Sequence, residues 1–187
     1  MLINQLLNIR VSRVAVLCFT TIFLVSCGSV PLSSMYKMAS MDKDDIRLID
    51  PRQIRTRITV DSPTQLQTRD VKLALRFEFA GDDESEYKFL LEFLEDKTLQ
   101  EKSGWFSEPT LKSQYEFKLA ESSIGMFKRY QREFIKYGKP NKYYWTVYYY
   151  FKKRPPENQN AKLDLELKMA VNEDYFYLLK DAELAVD

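Results

Sequence analysis

Val71-Lys72-Leu73-Ala74-Leu75-Arg76-Phe77-Glu78-Phe79 is the stretch that decides the fold class. Val71, Leu73, Leu75, Phe77 and Phe79 alternate with Lys72, Arg76 and Glu78. That period of two puts apolar side chains on one face of a strand and charged ones on the other. Gly81-Asp82-Asp83 then supplies a turn, and Tyr87, Phe89, Leu91 and Phe93 resume the alternation, so the two runs predict an antiparallel hairpin. Leu90 and Leu94 make the second face of the returning strand apolar too, which predicts that something covers it.

The same period extends outward from this hairpin in both directions. Upstream, Ile54, Thr56, Ile58 and Val60 alternate with Arg55, Arg57 and Thr59 before an Asp61-Ser62-Pro63 turn. Downstream, after Ser103-Gly104 and Pro109, Tyr115, Phe117 and Leu119 alternate with Gln114, Glu116 and Lys118. Leu163, Leu165, Leu167, Met169 and Val171 alternate with Lys162, Asp164, Glu166 and Lys168, and the chain from Phe176 returns as a last strand after Asn172-Glu173-Asp174.

One segment breaks the pattern. Ile124, Phe127, Tyr130, Phe134 and Tyr137 recur at spacings of three and four, predicting an amphipathic helix near 122–138 with Ser122 or Ser123 as N-cap and Gly138 and Pro140 as the stop. Lys128, Arg129, Arg132 and Lys136 fall on its other face and give water a basic side. About seven strands with one inserted helix predict a mainly β domain, an antiparallel β-sandwich. A half-open barrel with the helix across its mouth is the alternative.

The strand Tyr143-Tyr144-Trp145-Thr146-Val147-Tyr148-Tyr149-Tyr150-Phe151 has the most unusual composition, because both of its faces are aromatic. One explanation is a central strand buried between a second sheet and the helix, with tyrosine hydroxyls hydrogen bonding at the rim. The other is that one face, carrying Tyr144, Tyr148 and Tyr150, is an exposed platform for a sugar ring, a lipid or a partner.

Composition excludes several kinds of chemistry. The 187 residues contain no histidine, so there is no His-dependent nucleophile triad, no imidazole base, and no His or Cys ligand set for zinc or haem. The five glycines, at 28, 81, 104, 125 and 138, are too scattered for a phosphate loop. Charge is segregated although the total is near zero. Residues 128–154 hold nine basic side chains and one acid, Glu133, whereas residues 82–101 hold eight acids and two lysines. A near-neutral total gives no general argument for nucleic acid. A basic helix beside an aromatic strand suits an anionic lipid, a glycan or an acidic protein surface.

The N-terminus has the physics of a secretory signal. Arg10 and Arg13 form a positive region with no acid before Cys27, and Val14 to Val25 form an apolar run of about a dozen residues, too short to span a bilayer, which takes roughly 20. The stretch that closes it, Leu24-Val25-Ser26-Cys27, resembles the lipobox of bacterial lipoprotein precursors. The resemblance implies cleavage between Ser26 and Cys27, and attachment of diacylglycerol and an N-acyl chain such as palmitate to Cys27. One acyl chain binds reversibly and two or more hold firmly. Gly28 follows where enteric inner-membrane lipoproteins carry Asp, so the resemblance implies the periplasmic face of the outer membrane in preference to the inner membrane.

On that basis the chain divides into a signal peptide (1–26), a lipidated N-terminus and tether (27–50) and one β domain (51–187). Within the tether, Ser33-Ser34 caps one short helix, and Asp50-Pro51 marks the start of the domain. Cleavage removes Arg10, Arg13 and no acid, so Lys+Arg falls from 28 to 26 against 27 acids. Cys18 leaves with the signal and Cys27 is used by lipid, so no intramolecular disulfide is expected. Beyond Cys27 no family resemblance is evident.

Three function classes follow. The first is a non-catalytic envelope lipoprotein in the periplasm that binds another envelope protein as a scaffold or accessory subunit. The second is a lipid- or glycan-binding lipoprotein that uses the 143–151 strand. The third is a hydrolase using carboxylates alone, with Asp164 and Glu166 sharing a strand face, although these read more simply as the solvent side of an amphipathic strand. The candidate interaction surface is Lys128, Arg129, Arg132, Lys136, Tyr144, Tyr148 and Tyr150. No metal, cofactor or nucleic-acid partner is expected.

Overall fold

The computed structural model describes residues 30–78, 84–102, 109–138, 140–156 and 161–184. The expected signal, Cys27, Phe79 and the expected turn at Gly81-Asp82-Asp83 lie outside them. The element order is α1 (Leu32–Ser40), α2 (Lys43–Leu48), a single 3-10 turn (Pro51–Gln53), β1 (Arg55–Asp61), β2 (Gln65–Glu78), β3 (Glu84–Glu101), β4 (Thr110–Leu119), α3 (Glu121–Tyr137), β5 (Lys142–Lys153), β6 (Lys162–Lys168) and β7 (Phe176–Glu183).

All seven strands join one antiparallel sheet in the order β5-β2-β3-β4-β1-β6-β7. β2 and β3 pair as the sequence predicts, with Leu73 opposite Phe89 and Leu75 opposite Tyr87. The sheet curls because β3 changes partner along its length. Its residues up to Leu90 pair with β2, and from Leu91 they pair with β4, with a register shift between Phe93 and Glu95. Such an irregularity bends a strand and turns a corner in a sheet. The curl realises the half-open barrel form of the expected architecture.

Inward residues from both sides of that corner form one core. Val71, Leu73, Leu75 and Phe77 of β2 share it with Phe117 and Leu119 of β4, Ile58 and Val60 of β1, and Leu163, Leu165 and Leu167 of β6. Each fully buried side chain of this size contributes about 1.5–3 kcal/mol in transfer free energy.

α3 fills the concave side. Its Ile124, Phe127, Tyr130 and Phe134 are buried, as the three-and-four spacing predicts, and Tyr130 stacks on Phe77 at 5.1 Å between ring centres while Phe127 meets Phe89 at 5.6 Å. The expected stop holds: Gly138 takes φ 86°, and its N–H donates to the Phe134 carbonyl. The N-cap differs from expectation. Ala120 occupies it with no side-chain hydrogen bond, because the Ser123 hydroxyl is used elsewhere. That hydroxyl accepts from the Leu90 N–H (2.8 Å) and donates to the Leu90 carbonyl (3.1 Å), which ties the helix to β3 where the sheet turns.

Three further expectations change. Residues 32–48, placed in a tether, form two helices. A capping box closes α2, in which the Asp42 carboxylate accepts from the Asp44 and Asp45 N–H groups and Asp45 accepts from the Asp42 N–H. Ile46 enters the core, and the Gln131 amide on α3 donates to the carbonyls of Ile46 and Ile49. The packed structure therefore begins well before Asp50. Leu90 and Leu94, expected to be covered, are exposed at 36% and 40%. Finally, among the described strands β5 is an edge paired with β2 alone, and the reading as a buried central strand gives way to one with an open side.

Candidate functional site

β5 owes its open surface to register. Val147 lies opposite Leu73 and Phe151 opposite Leu66, so these side chains face the core, where Tyr149 and Phe151 pack edge to face. Tyr144, Tyr148 and Tyr150 lie opposite Arg76, Lys72 and Gln67 and face outward. Tyr148 and Tyr150 are 42% and 58% exposed. The guanidinium of Arg76 stands 4.5 Å from the Tyr144 ring centre and the Lys88 ammonium 5.8 Å from that of Tyr148, distances at which a cation is attracted to a ring face. The result is a row of amphipathic rings edged by cations on the outer face of an edge strand.

The basic side of α3 is elsewhere. Its apolar stripe faces the concave side of the sheet while the tyrosines face outward. The two surfaces approach each other at the rim, where Glu86 of β3 lines one cleft with Arg129 and Arg132 and another with Tyr144 and Tyr148. Lys128, Arg129, Arg132 and Lys136 are exposed. Arg129 is paired with Glu133 at 3.0 Å, and Lys136 donates to the Tyr137 hydroxyl at 2.9 Å. Glu133 also accepts from the buried Tyr87 hydroxyl, which holds its carboxyl below the usual range despite partial burial. The sequence-derived surface is thus two surfaces. Chain order placed the helix and β5 next to each other, and the sheet put them on opposite sides.

A trough of about 880 Å³ adjoins the tyrosines. Tyr144, Thr146 and Tyr148 of β5 line it with Arg76 of β2, and Met35 and Met38 of α1 and Leu178 and Leu179 of β7 supply an apolar wall. Sequence reasoning missed that wall, since α1 and β7 lie far from β5 in the chain. Between the helices and the sheet lies a small apolar cavity of about 30 Å³, on the scale of a single water.

Asp164 and Glu166 share the outer face of β6 as expected and belong to a half-buried polar network. Asp164 accepts from the Asp181 N–H at 2.7 Å and lies 3.7 Å from Lys112, which also pairs with Glu101 at 2.6 Å. Glu166 faces Arg57 across the β1–β6 ladder, and burial pushes its carboxyl up against the pull of that guanidinium. Arg57 itself binds Glu116 at 2.9 Å and stacks 3.6 Å from the Tyr175 ring centre. Burial raises the Tyr175 phenol to about 12, against the pull of Arg57, and its hydrogen bond to Glu116 adds to the shift. Neither Asp164 nor Glu166 lines the trough. Among the described residues no group of three or more Cys, Asp or Glu side chains is placed to hold a metal ion. No described helix is long and apolar enough to cross a membrane. Comparison of the chain with protein-family models, with curated proteins and with solved structures gives no match.

Proposed function

We propose that this chain is a lipid-anchored envelope protein, non-catalytic, which binds another envelope protein through the outer tyrosine face of β5 as a scaffold or accessory subunit. The observation that carries the contact surface is the exposure of Tyr148 and Tyr150 on an edge strand whose inner face is already committed to the core. Tyrosine is a favoured interface residue, because its large ring buries much area at low entropic cost while the hydroxyl keeps a hydrogen bond. The lipobox at Leu24-Val25-Ser26-Cys27 supports the anchor and the periplasmic face of the outer membrane.

The test uses intact cells. Photo-crosslinking residues at positions 148 and 150 should trap one defined envelope protein in the membrane fraction, and the same residue at position 128 or 132 should not. Trapping from 128 and 132 alone would move the contact to the helix and refute the assignment to β5. Cys27→Ser should abolish acyl labelling and release the chain from membranes; continued labelling would refute the anchor.

The trough favours a second reading, in which the chain binds a lipid or glycan. Arg76 and Tyr144 would meet an anionic or hydroxylated group, and Met35, Leu178 and Leu179 an apolar portion. A ligand co-purifying with the native chain and lost on Arg76→Glu would support it.

A further inference from the structure

The densest group of exposed apolar side chains lies at the start of the described chain. Leu32 is 83% exposed, Met35 54% and Tyr36 77%. These three are spaced i, i+3, i+4, so they form one stripe along α1. Val30 is 40% exposed just before them, and Leu48 at the end of α2 is 82% exposed. The opposite side of α1 is held to the domain. Ser34 is buried, Met38 packs on the core, and Lys37 pairs with Glu173 at 2.8 Å and lies over the Phe176 ring of β7. The stripe therefore belongs to a docked helix that keeps a large apolar face in water.

Cys27 precedes Val30 by three residues, and three residues reach at most about 11 Å when fully extended. We infer that Leu32, Met35 and Tyr36 seat α1 on the lipid bilayer beside the acylated Cys27, so that the domain lies on the membrane in one fixed orientation. This rests on the lipid-anchor proposal above. Once the sulfur is acylated, so short a link leaves α1 no position far from the headgroups, and its outward stripe meets the interface. Tyrosine suits that depth, with its ring in the acyl boundary and its hydroxyl in the headgroups.

Between Val30 and Leu48, Lys37, Lys43 and Arg47 balance Asp42, Asp44 and Asp45. The contact is therefore apolar in origin and needs no anionic lipid. Seating α1 in this way also brings the trough, one wall of which α1 forms, to the bilayer surface.

The experiment reconstitutes the full acylated chain into vesicles of phosphatidylethanolamine and phosphatidylglycerol. Cys27 is occupied by lipid, so Tyr36→Cys and, separately, Thr110→Cys each give one site for an environment-sensitive fluorophore. Thr110 begins β4 at the end of the sheet away from Phe176 and α1. Lipid carrying a quencher on its acyl chain should quench the probe at 36 by at least twofold and leave the probe at 110 unchanged, with little dependence on salt. A second measurement spares the labelled residue: vesicles should slow amide exchange across residues 32–40 by about tenfold, and Leu32→Ser with Met35→Ser should remove that protection while the chain still pellets with vesicles. Equal quenching at 36 and 110, or no quenching at 36 in a chain that pellets, overturns the seating. Protection of 32–40 without quenching also overturns it and assigns the stripe to a contact between copies of the chain. Loss of pelleting in the acylated chain refutes the anchor instead, so the two failures are distinct.

Discussion

Two parts of the outer surface of this sheet share a strand geometry and differ in how their polar groups are satisfied. Over β1, β4 and β6, outward side chains answer one another. Arg57 holds Glu116 and stacks on Tyr175, the buried Gln114 amide donates to Thr59, and Lys112 lies between Glu101 and Asp164. Over β5, the outward tyrosines Tyr148 and Tyr150 sit at an edge with half or so of their surface in water. Strands flanked on both sides gain enough neighbours to complete a network. An edge strand has one neighbour, and its surplus capacity for contact is open to another molecule.

That contrast can be broken first from the closed side. Arg57→Ala leaves Glu116 with little solvent and without its guanidinium, and takes the cation from the Tyr175 ring. Hydrogen bonds to charged groups of this kind are worth about 1.5–3 kcal/mol, so unfolding in denaturant should show a loss of about 2 kcal/mol. A loss below about 0.5 kcal/mol would mean that the network contributes no more than an exposed ion pair.

A smaller effect of opposite sign is expected at Glu166. Burial raises its carboxyl in the folded state. Between the unfolded value of about 4.3 and that raised value, the folded chain holds a proton the unfolded chain has lost, so stability falls as pH rises through this window. Glu166→Gln removes the penalty. The variant should melt above the parent at pH 7 and level with it at pH 3.5, and a lower melting temperature at pH 7 would show that the charge is needed.

The smallest stability change belongs to the open side. Tyr148→Ser with Tyr150→Ser should alter unfolding free energy by no more than about 0.5 kcal/mol per site. The same pair should abolish co-purification of the proposed envelope partner with the chain. A large loss of stability would show that these rings support the fold, and the contrast between the two regions would disappear.

Much of the fold was legible because burial on one side of a strand writes itself into the sequence as alternation. The core positions of β1, β2 and β6, and the stripe on α3, occupy the positions their periods predict, except at Tyr137, which ends α3, and Val171, just past β6, which are 59% and 62% exposed. Ser123 was misread because a serine at a helix start has two outlets for its hydroxyl, and only the packed sheet shows that Leu90 takes it. The short helix at 32–40 was legible, whereas α2 and the docking of both on the domain escaped, because one buried residue such as Ile46 leaves no periodic trace. Of the candidate surface, the outward tyrosines were legible from their parity. Their separation from the basic helix face was not, because parity says which residues share a face and nothing about which element covers it.

By itself the sequence determined a mainly β chain with one amphipathic helix and the exclusion of histidine chemistry, since composition and short-range period are local properties. The tertiary structure alone decided that β5 is an edge, that α1 is docked with its stripe outward, and that a trough lies between strands distant in the chain. Those outcomes depend on which strand neighbours which, and that is set by the summed packing of the whole curled sheet.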